Sequence, residues 1–177
     1  MSLADNPSNT SQPFQQASFQ HLELDTKEAI QQAVLKLIDV ARREIIVVLP
    51  TFHQTLDNND IYQAFIHFIT DSPKREIMII LNNLADQQHS SHALVRLAQR
   101  LSRIQLKQVT HLIEPPIKDT DYLCICDRKH FLRIDQIEQN HAWLNLDYAP
   151  RALQLTERIM PQWHTAQEIK EFRQFML

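Results

Sequence analysis

The sequence predicts a mixed α/β domain, in which a parallel core of strands is flanked by helices and is followed by a cluster of antiparallel strands. Two runs rich in β-branched residues, Ile45–Leu49 and Ile77–Leu81, lie between segments whose apolar residues recur at helical spacing. That order is typical of strands buried on both faces of a parallel sheet. After Pro115 and Pro116 the apolar runs become short and closely spaced, which predicts hairpins.

The first half of the chain is predicted to alternate helices with the two buried strands. Asp25 and Glu28 have the spacing of a capping pair, and the apolar residues after them keep helical spacing as far as Arg43. They predict a first helix. An apolar stripe across Ile61–Ile69 predicts a second helix, which Pro73 ends.

A third helix is predicted to begin at Ser90 or Ser91 and to carry its apolar face as far as Ile104. Val109–Ile113 then predicts a short third strand. Successive helix–strand units with short connections give right-handed crossovers, so we expect the strands of this half to be parallel.

The second half is predicted to contain three short strands, at Tyr122–Cys126, Phe131–Ile134 and Ala142–Leu146. The short turns between them predict antiparallel pairing. Pro150 suits the first turn of a following helix, and Pro161 is expected to interrupt it. Thr165 is expected to cap a last helix that contains Ile169 and Phe172.

Length and composition indicate one domain and exclude several classes of site. Residues 1–20 are polar and aperiodic, which predicts a disordered tail, and residues 21–177 are long enough for one core. The chain contains no glycine, against an average usage of about 7%. Phosphate-binding loops and nucleophile elbows that require glycine are therefore excluded.

Net charge and hydropathy limit the classes of partner that the protein is expected to bind. A formal charge of −3 and a pI near 6.3 give no general attraction to nucleic acid or to an anionic membrane. The chain has no run of 18 apolar residues and no basic segment followed by an apolar one at its start, so we expect a cytoplasmic protein without a membrane partner.

No cofactor and no metal site are predicted. Cys124 and Cys126 lie two apart on a predicted strand and lack the second pair of ligands that zinc requires, so we interpret them as small buried hydrophobes. His89 and His92 have the spacing of metal ligands, but no cysteine or carboxylate partner is evident nearby in the sequence.

Polar residues at strand ends form one candidate ligand cleft. His53 and Asn82 follow the two buried strands, at the end of a parallel sheet where α/β domains bind ligands. Asp127 and Asn145 are expected to join them, and Thr120 and Tyr122, which precede Asp127, complete the six residues of this candidate cleft. The alternative is that the first four are ordinary turn residues.

A basic stripe is the second candidate. Its members are Arg96, Arg100, Arg103 and Lys107. At helical spacing they would lie on one face, where they could contact phosphate oxygens. The alternative is the solvated face of an amphipathic helix.

The order of elements, together with the stretch around Asp127, resembles one half of a phospholipase D-like domain. The hallmark of that superfamily is His-x-Lys-x4-Asp, followed by Gly-Ser-x-Asn. Laid on Asp127, it puts Tyr122 in place of the lysine and Thr120 in place of the histidine, and Asn145 takes the place of the asparagine. The chain is similar to the degenerate, uncharacterised bacterial members of the group.

The resemblance implies a half-domain that pairs as a homodimer or binds a protein partner. It also implies that the chemistry is lost, because threonine without a base is a weak nucleophile and tyrosine carries no positive charge at neutral pH. We therefore expect a catalytically inactive binding or interaction module. One alternative is a phosphodiesterase with a displaced site that uses His53 or His130, and another is nucleic-acid backbone binding through the basic stripe, which the acidic net charge does not favour.

Overall fold

The computed structural model describes residues 20–82, 91–109 and 120–169. Within them the chain forms eight strands, four α-helices and one short 3-10 helix at Ile137–Gln139. The strands are β1 (Gln20–Leu24), β2 (Glu44–Leu49), β3 (Glu76–Leu81), β4 (Ile104–Gln108), β5 (Tyr122–Cys126), β6 (His130–Gln136), β7 (His141–Leu146) and β8 (Gln167–Glu168). The helices are α1 (Lys27–Val40), α2 (Asn59–Asp71), α3 (Ala93–Arg100) and α4 (Ala149–Thr165).

The strands form one mixed sheet in the order β1-β7-β6-β5-β2-β3-β4-β8. β2, β3 and β4 pair in parallel, whereas β5 pairs antiparallel with β2 and begins the antiparallel part. The predicted α/β class, with a parallel core and an antiparallel cluster, is confirmed. The buried runs at β2 and β3 and the hairpin strands β5, β6 and β7 lie where the sequence predicts them.

Helices cover the two faces of the sheet unequally. α1, α2 and α3 pack on one face, which we call the three-helix face, and form the larger core with residues such as Leu37, Phe65 and Leu97. α4 packs on the other, the single-helix face, through Leu155 and Ile159. Because β2 and β3 are buried on both faces, every second residue of each strand belongs to a different core.

The structure corrects the predicted third helix and third strand. α3 ends at Arg100, and Ile104 begins β4 rather than closing the helix. β4 therefore lies five residues before the strand predicted at 109–113, of which only Val109 is described and is buried. The predicted start at Ser90 lies outside the described residues; His92 caps the helix, and its ring accepts the N–H of Leu94 at 3.2 Å.

The two ends of the chain also differ from the prediction. Pro161 lies inside α4 without ending it, and Thr165 is its last residue rather than the cap of another helix. Gln167–Glu168 pair with β4 and Ile169 is buried outside any helix, while residues 170–177 of the predicted last helix lie outside the described residues. Gln20 begins β1, which the sequence did not predict, while the tail at 1–19 lies outside the described residues.

Turns in this glycine-free chain use other residues in the left-handed region. Asp127 and Arg128, at φ 52° and 54°, occupy the centre of the turn between β5 and β6, where Lys129 N–H donates to the Cys126 carbonyl. Two positive φ angles are typical of a type I′ turn, whose twist matches that of the hairpin. In the described residues no helix is both long and apolar enough to cross a bilayer.

Candidate functional site

The strand directions divide the candidate residues between two ends of the sheet. At the carboxyl end, β2 and β3 finish at Leu49 and Leu81. Because β5 runs antiparallel to β2, it begins at this end with Tyr122 and finishes at the amino end, where Cys126 pairs with Ile45. A motif that spans β5 is therefore split between the two ends.

His53 and Tyr122 come together at the carboxyl end, with ring centroids 6.3 Å apart. His53 Nδ1 accepts the N–H of Thr55 at 3.2 Å, and Nε2 lies 3.2 Å from Glu138 Oε1. Because Nδ1 accepts a hydrogen bond, the proton of the neutral ring lies on Nε2 and points to the carboxylate. The Nε2 atom of His53 is therefore a hydrogen-bond donor.

Tyr122 is buried, and its hydroxyl lies 3.0 Å from Thr51 Oγ1. Burial is the main reason that the pKa of Tyr122 is raised, so the phenol is neutral at physiological pH. Asn82 lies at the same end, where its N–H donates to the Leu49 carbonyl. Thr120 lies beside Asp121 and is exposed to solvent.

The described loops at the carboxyl end, 50–58, 91–92, 120–121 and 135–140, contain no lysine or arginine. They contain four carboxylates: Asp57, Asp121, Asp135 and Glu138. Arg133 of β6 is close by, but its Nη2 is bound to the buried Asp121 at 2.7 Å. The described part of this end is therefore acidic, which disfavours a phosphodiester anion there.

Asp127 lies at the opposite end and has a structural role. Its carboxylate accepts three backbone N–H groups of the loop between α1 and β2, from Arg42 at 2.6 Å, Arg43 at 2.8 Å and Glu44 at 3.0 Å. Charge-assisted bonds of this kind are stronger than neutral ones. Asp127 thus fixes the entry to β2, and its expected place in the cleft is wrong.

Asn145 is also remote from His53. It pairs with Phe131 of β6 towards the end of the sheet where Asp127 lies, and its Oδ1 lies 2.7 Å from His21 Nδ1 of β1. The expectation that Asn145 and Asp127 line one cleft with Thr120 is therefore wrong. Of the six candidate cleft residues, the carboxyl end holds four: His53, Asn82, Thr120 and Tyr122.

The basic stripe is not continuous, because its residues belong to three different elements. Arg96 and Arg100 lie on α3, where they contact the ring and the hydroxyl of Tyr62. Arg103 lies in the turn that follows and donates to the carbonyls of Ser72 and Arg75. Lys107 is on β4, with Nζ 4.2 Å from the centre of the Trp163 ring.

His130, the other candidate nucleophile, lies at the amino end. Its Nδ1 accepts the N–H of Asp147 at 2.9 Å. Burial, with a smaller effect of Lys129, lowers the pKa of His130. The neutral ring is therefore favoured, with its proton on Nε2.

The sequence analysis did not identify a histidine that lies between two carboxylates near the β1 edge of the sheet, an arrangement that we call the His141 clamp. His141 of β7 has Nδ1 2.5 Å from Asp135 Oδ1 and Nε2 2.9 Å from Glu23 Oε1 of β1. The hydrogen bond to Asp135, followed by that to Glu23, raises the pKa of His141. Its ring also stands edge-on to Trp143, which stacks on His21 at 4.8 Å.

The residues that the structure describes form no metal site, and the apolar cavity beside Tyr122 is too small for a large ligand. In residues 20–82, 91–109 and 120–169 no three His, Cys, Asp or Glu side chains are placed to hold a metal ion. An apolar cavity of about 20 Å³ lies between Leu49, Leu56 and Phe65 beneath Tyr122. That volume is close to the minimum for one water molecule.

A known protein family matches most of this chain. The model of a domain of unknown function, DUF7931, matches residues 26–175. The chain belongs to the DUF7931 family. No curated protein matches this DUF7931 sequence.

Solved structures share the fold at low sequence identity. Nuc of Salmonella typhimurium, a phospholipase D family member, superimposes with a TM-score of 0.64 at 17% identity, over 86% of this chain and 97% of that one. NucT from Helicobacter pylori gives 0.64 at 11% identity, over 85% and 99%. The archaeal chromatin protein TrmBL2, whose structure shows a novel mode of DNA binding, gives 0.61 at 9% identity over 88% of this chain. This chain spans 57% of TrmBL2, and the shared fold is that of phospholipase D.

Replacing Asp127 with alanine is expected to lower the free energy of unfolding by about 2 kcal/mol, because three backbone donors lose a charged acceptor. Asp127→Asn should retain part of the stability. Urea denaturation measures both. Asp39→Ala, an exposed aspartate at the end of α1, is the control and should change stability by less than about 0.5 kcal/mol. Equal losses in the two alanine variants would contradict the role of Asp127.

The His141 clamp predicts a pH dependence. Its pKa lies above the ordinary value of 6.5 in the folded chain. The clamp therefore contributes fully below pH 6.5, and its contribution is lost as the pH rises through the raised pKa. Denaturation in urea between about pH 6 and about pH 9 should show this loss in the wild type and not in His141→Gln. The control is His67→Gln, on the exposed surface of α2, and a slope identical in all three proteins would refute the clamp.

Proposed function

We propose that this DUF7931 chain is a phospholipase D-like domain that does not hydrolyse phosphodiesters and acts by binding. The acidic carboxyl end of the sheet is the observation that carries the proposal. Phosphoryl transfer depends on positive charge around the phosphate oxygens. Here Asp57 and Glu138 lie in the loops of that end, and Arg133 is bound to Asp121.

The tautomers of the two candidate histidines support the same proposal. A histidine nucleophile has to present a nitrogen without a proton to the phosphorus. His53 and His130 each use Nδ1 to accept a backbone N–H, so their other nitrogen carries the proton in the neutral ring. The alternative of a displaced phosphodiesterase site would require either ring to give up that hydrogen bond.

Nucleic-acid binding through the basic stripe finds little support in the geometry. Arg100 and Arg103 are engaged with Tyr62 and with backbone carbonyls, and Lys107 lies against Trp163. The DNA binding of TrmBL2 belongs to that protein. A homodimer and a cytoplasmic location remain predictions from the sequence.

The absence of hydrolysis is tested with bis(4-nitrophenyl) phosphate as a generic phosphodiester. The wild type is expected to release nitrophenolate at the rate of buffer alone, because the loops described at the carboxyl end contain no lysine or arginine to bind the phosphate. His53→Gln and His130→Gln should give the same rate. Turnover by the wild type that His53→Gln or His130→Gln abolishes would overturn the proposal and would identify the nucleophile.

A further inference from the structure

Strand β1 lies at the edge of the sheet and exposes the side chains of three consecutive residues. β1 pairs with β7 on one side, and among the residues that the structure describes no strand pairs on its other side. His21, Leu22 and Glu23 are all exposed, and Leu22 is 49% exposed although it is a large hydrophobic residue. An edge strand of this kind is a template for pairing with another chain.

Successive side chains of β1 point to opposite faces of the sheet. His21 and Glu23 point to the single-helix face, where they meet Asn145 and His141. Leu22 points to the three-helix face, since its partner Leu144 belongs to the larger core. A second strand beside β1 would therefore meet a polar row on one face and an apolar residue on the other.

We infer that β1 pairs antiparallel with β1 of a second copy of this chain, about a two-fold axis that passes through Leu22. In that register each His21 lies opposite Glu23 of the other copy, and the two Leu22 side chains face each other. An imidazole then meets a carboxylate twice, and two half-exposed leucines cover one another. The inference rests on the binding role proposed above, to which it adds a partner.

Other registers of the same pairing are less favourable. A shift of one residue would place apolar and polar side chains on the wrong faces. An axis through Glu23 would set the two Glu23 carboxylates directly opposite each other, which is destabilising. An axis through His21 would pair only the first three residues of β1. The axis through Leu22 alone pairs all five residues without facing like charges.

The two-fold axis of this dimer lies away from the candidate cleft. β6 and β7 separate β1 from β5, so Thr120 and Tyr122 are not part of the interface. A pair of five-residue strands buries less area than the roughly 1,200–2,000 Å² of a standard stable interface. We therefore expect a weak, concentration-dependent dimer with a dissociation constant on the order of micromolar.

Sedimentation velocity of the full chain over a concentration series tests the dimer. The wild type should shift from the chain mass of 20.8 kDa towards twice that mass. Leu22→Lys should raise the dissociation constant about tenfold or more, because two lysines then face each other across the axis. Leu153→Lys, at a leucine 41% exposed on α4, is the matched control and should leave association unchanged.

Disulfide trapping tests the register. Two Leu22→Cys chains should cross-link under mild oxidation, since directly opposite residues have Cα atoms about 4.5–5.5 Å apart. Leu153→Cys should not cross-link, and the native Cys124 and Cys126 are buried. A wild type that stays monomeric up to its solubility limit overturns the inference, as does a dimer insensitive to Leu22→Lys or equally weakened by Leu153→Lys. Nitrophenolate release by the same preparations would instead remove the proposed function and leave the dimer result standing.

Discussion

The antiparallel pairing of β5 with β2 is the constraint on which the rest of the site depends. It places Tyr122 at the carboxyl end of the parallel strands and Asp127 at the amino end. A strand rises about 3.4 Å per residue, so the seven steps from Thr120 to Asp127 span about 24 Å, the full length of the strands. No ligand of ordinary size touches both ends, and the two residues have separate roles. Asp127 fixes the loop before β2, while Tyr122 closes the core beside Thr51.

The acidic carboxyl end follows from the same arrangement. In an α/β sheet a ligand binds at the carboxyl end of the parallel strands. In this chain that end includes the loops after β2, before β5 and after β6. Asp121 precedes β5, and Asp135 and Glu138 lie at the end of β6 and in the turn after it. Arg133 holds Asp121 beneath the surface, and His141 lies between Asp135 and Glu23. The loops described at this end therefore carry the opposite charge to the one that phosphate chemistry requires.

Most of the fold could be predicted because its strands are buried. β2 and β3 are β-branched runs that cannot be mistaken for loops, and the turn residues between β5, β6 and β7 separate the hairpin strands. The end of α3 was missed because Leu97, Leu101 and Ile104 continue the helical spacing through a turn and into β4. β1 was missed because Gln20–Leu24 is short and mostly polar, and its strand structure comes from pairing with β7. The His53–Glu138 contact joins residues 85 positions apart (138 − 53), for which sequence spacing gives no signal.

The chain contains nine histidines, and the rings of several of them form hydrogen bonds with backbone groups. His53 and His92 each accept, at Nδ1, the N–H of the residue two positions ahead. Asparagine and aspartate side chains commonly make such turns. In addition, His92 Nε2 lies 3.2 Å from the His53 carbonyl, so one ring supports the loop that positions the other. A chain without glycine has to stabilise its turns through side chains, and imidazole provides an acceptor for the N–H together with a donor for a second contact. Among the residues that the structure describes at the carboxyl end, His53 and His92 therefore have a structural role in the loops.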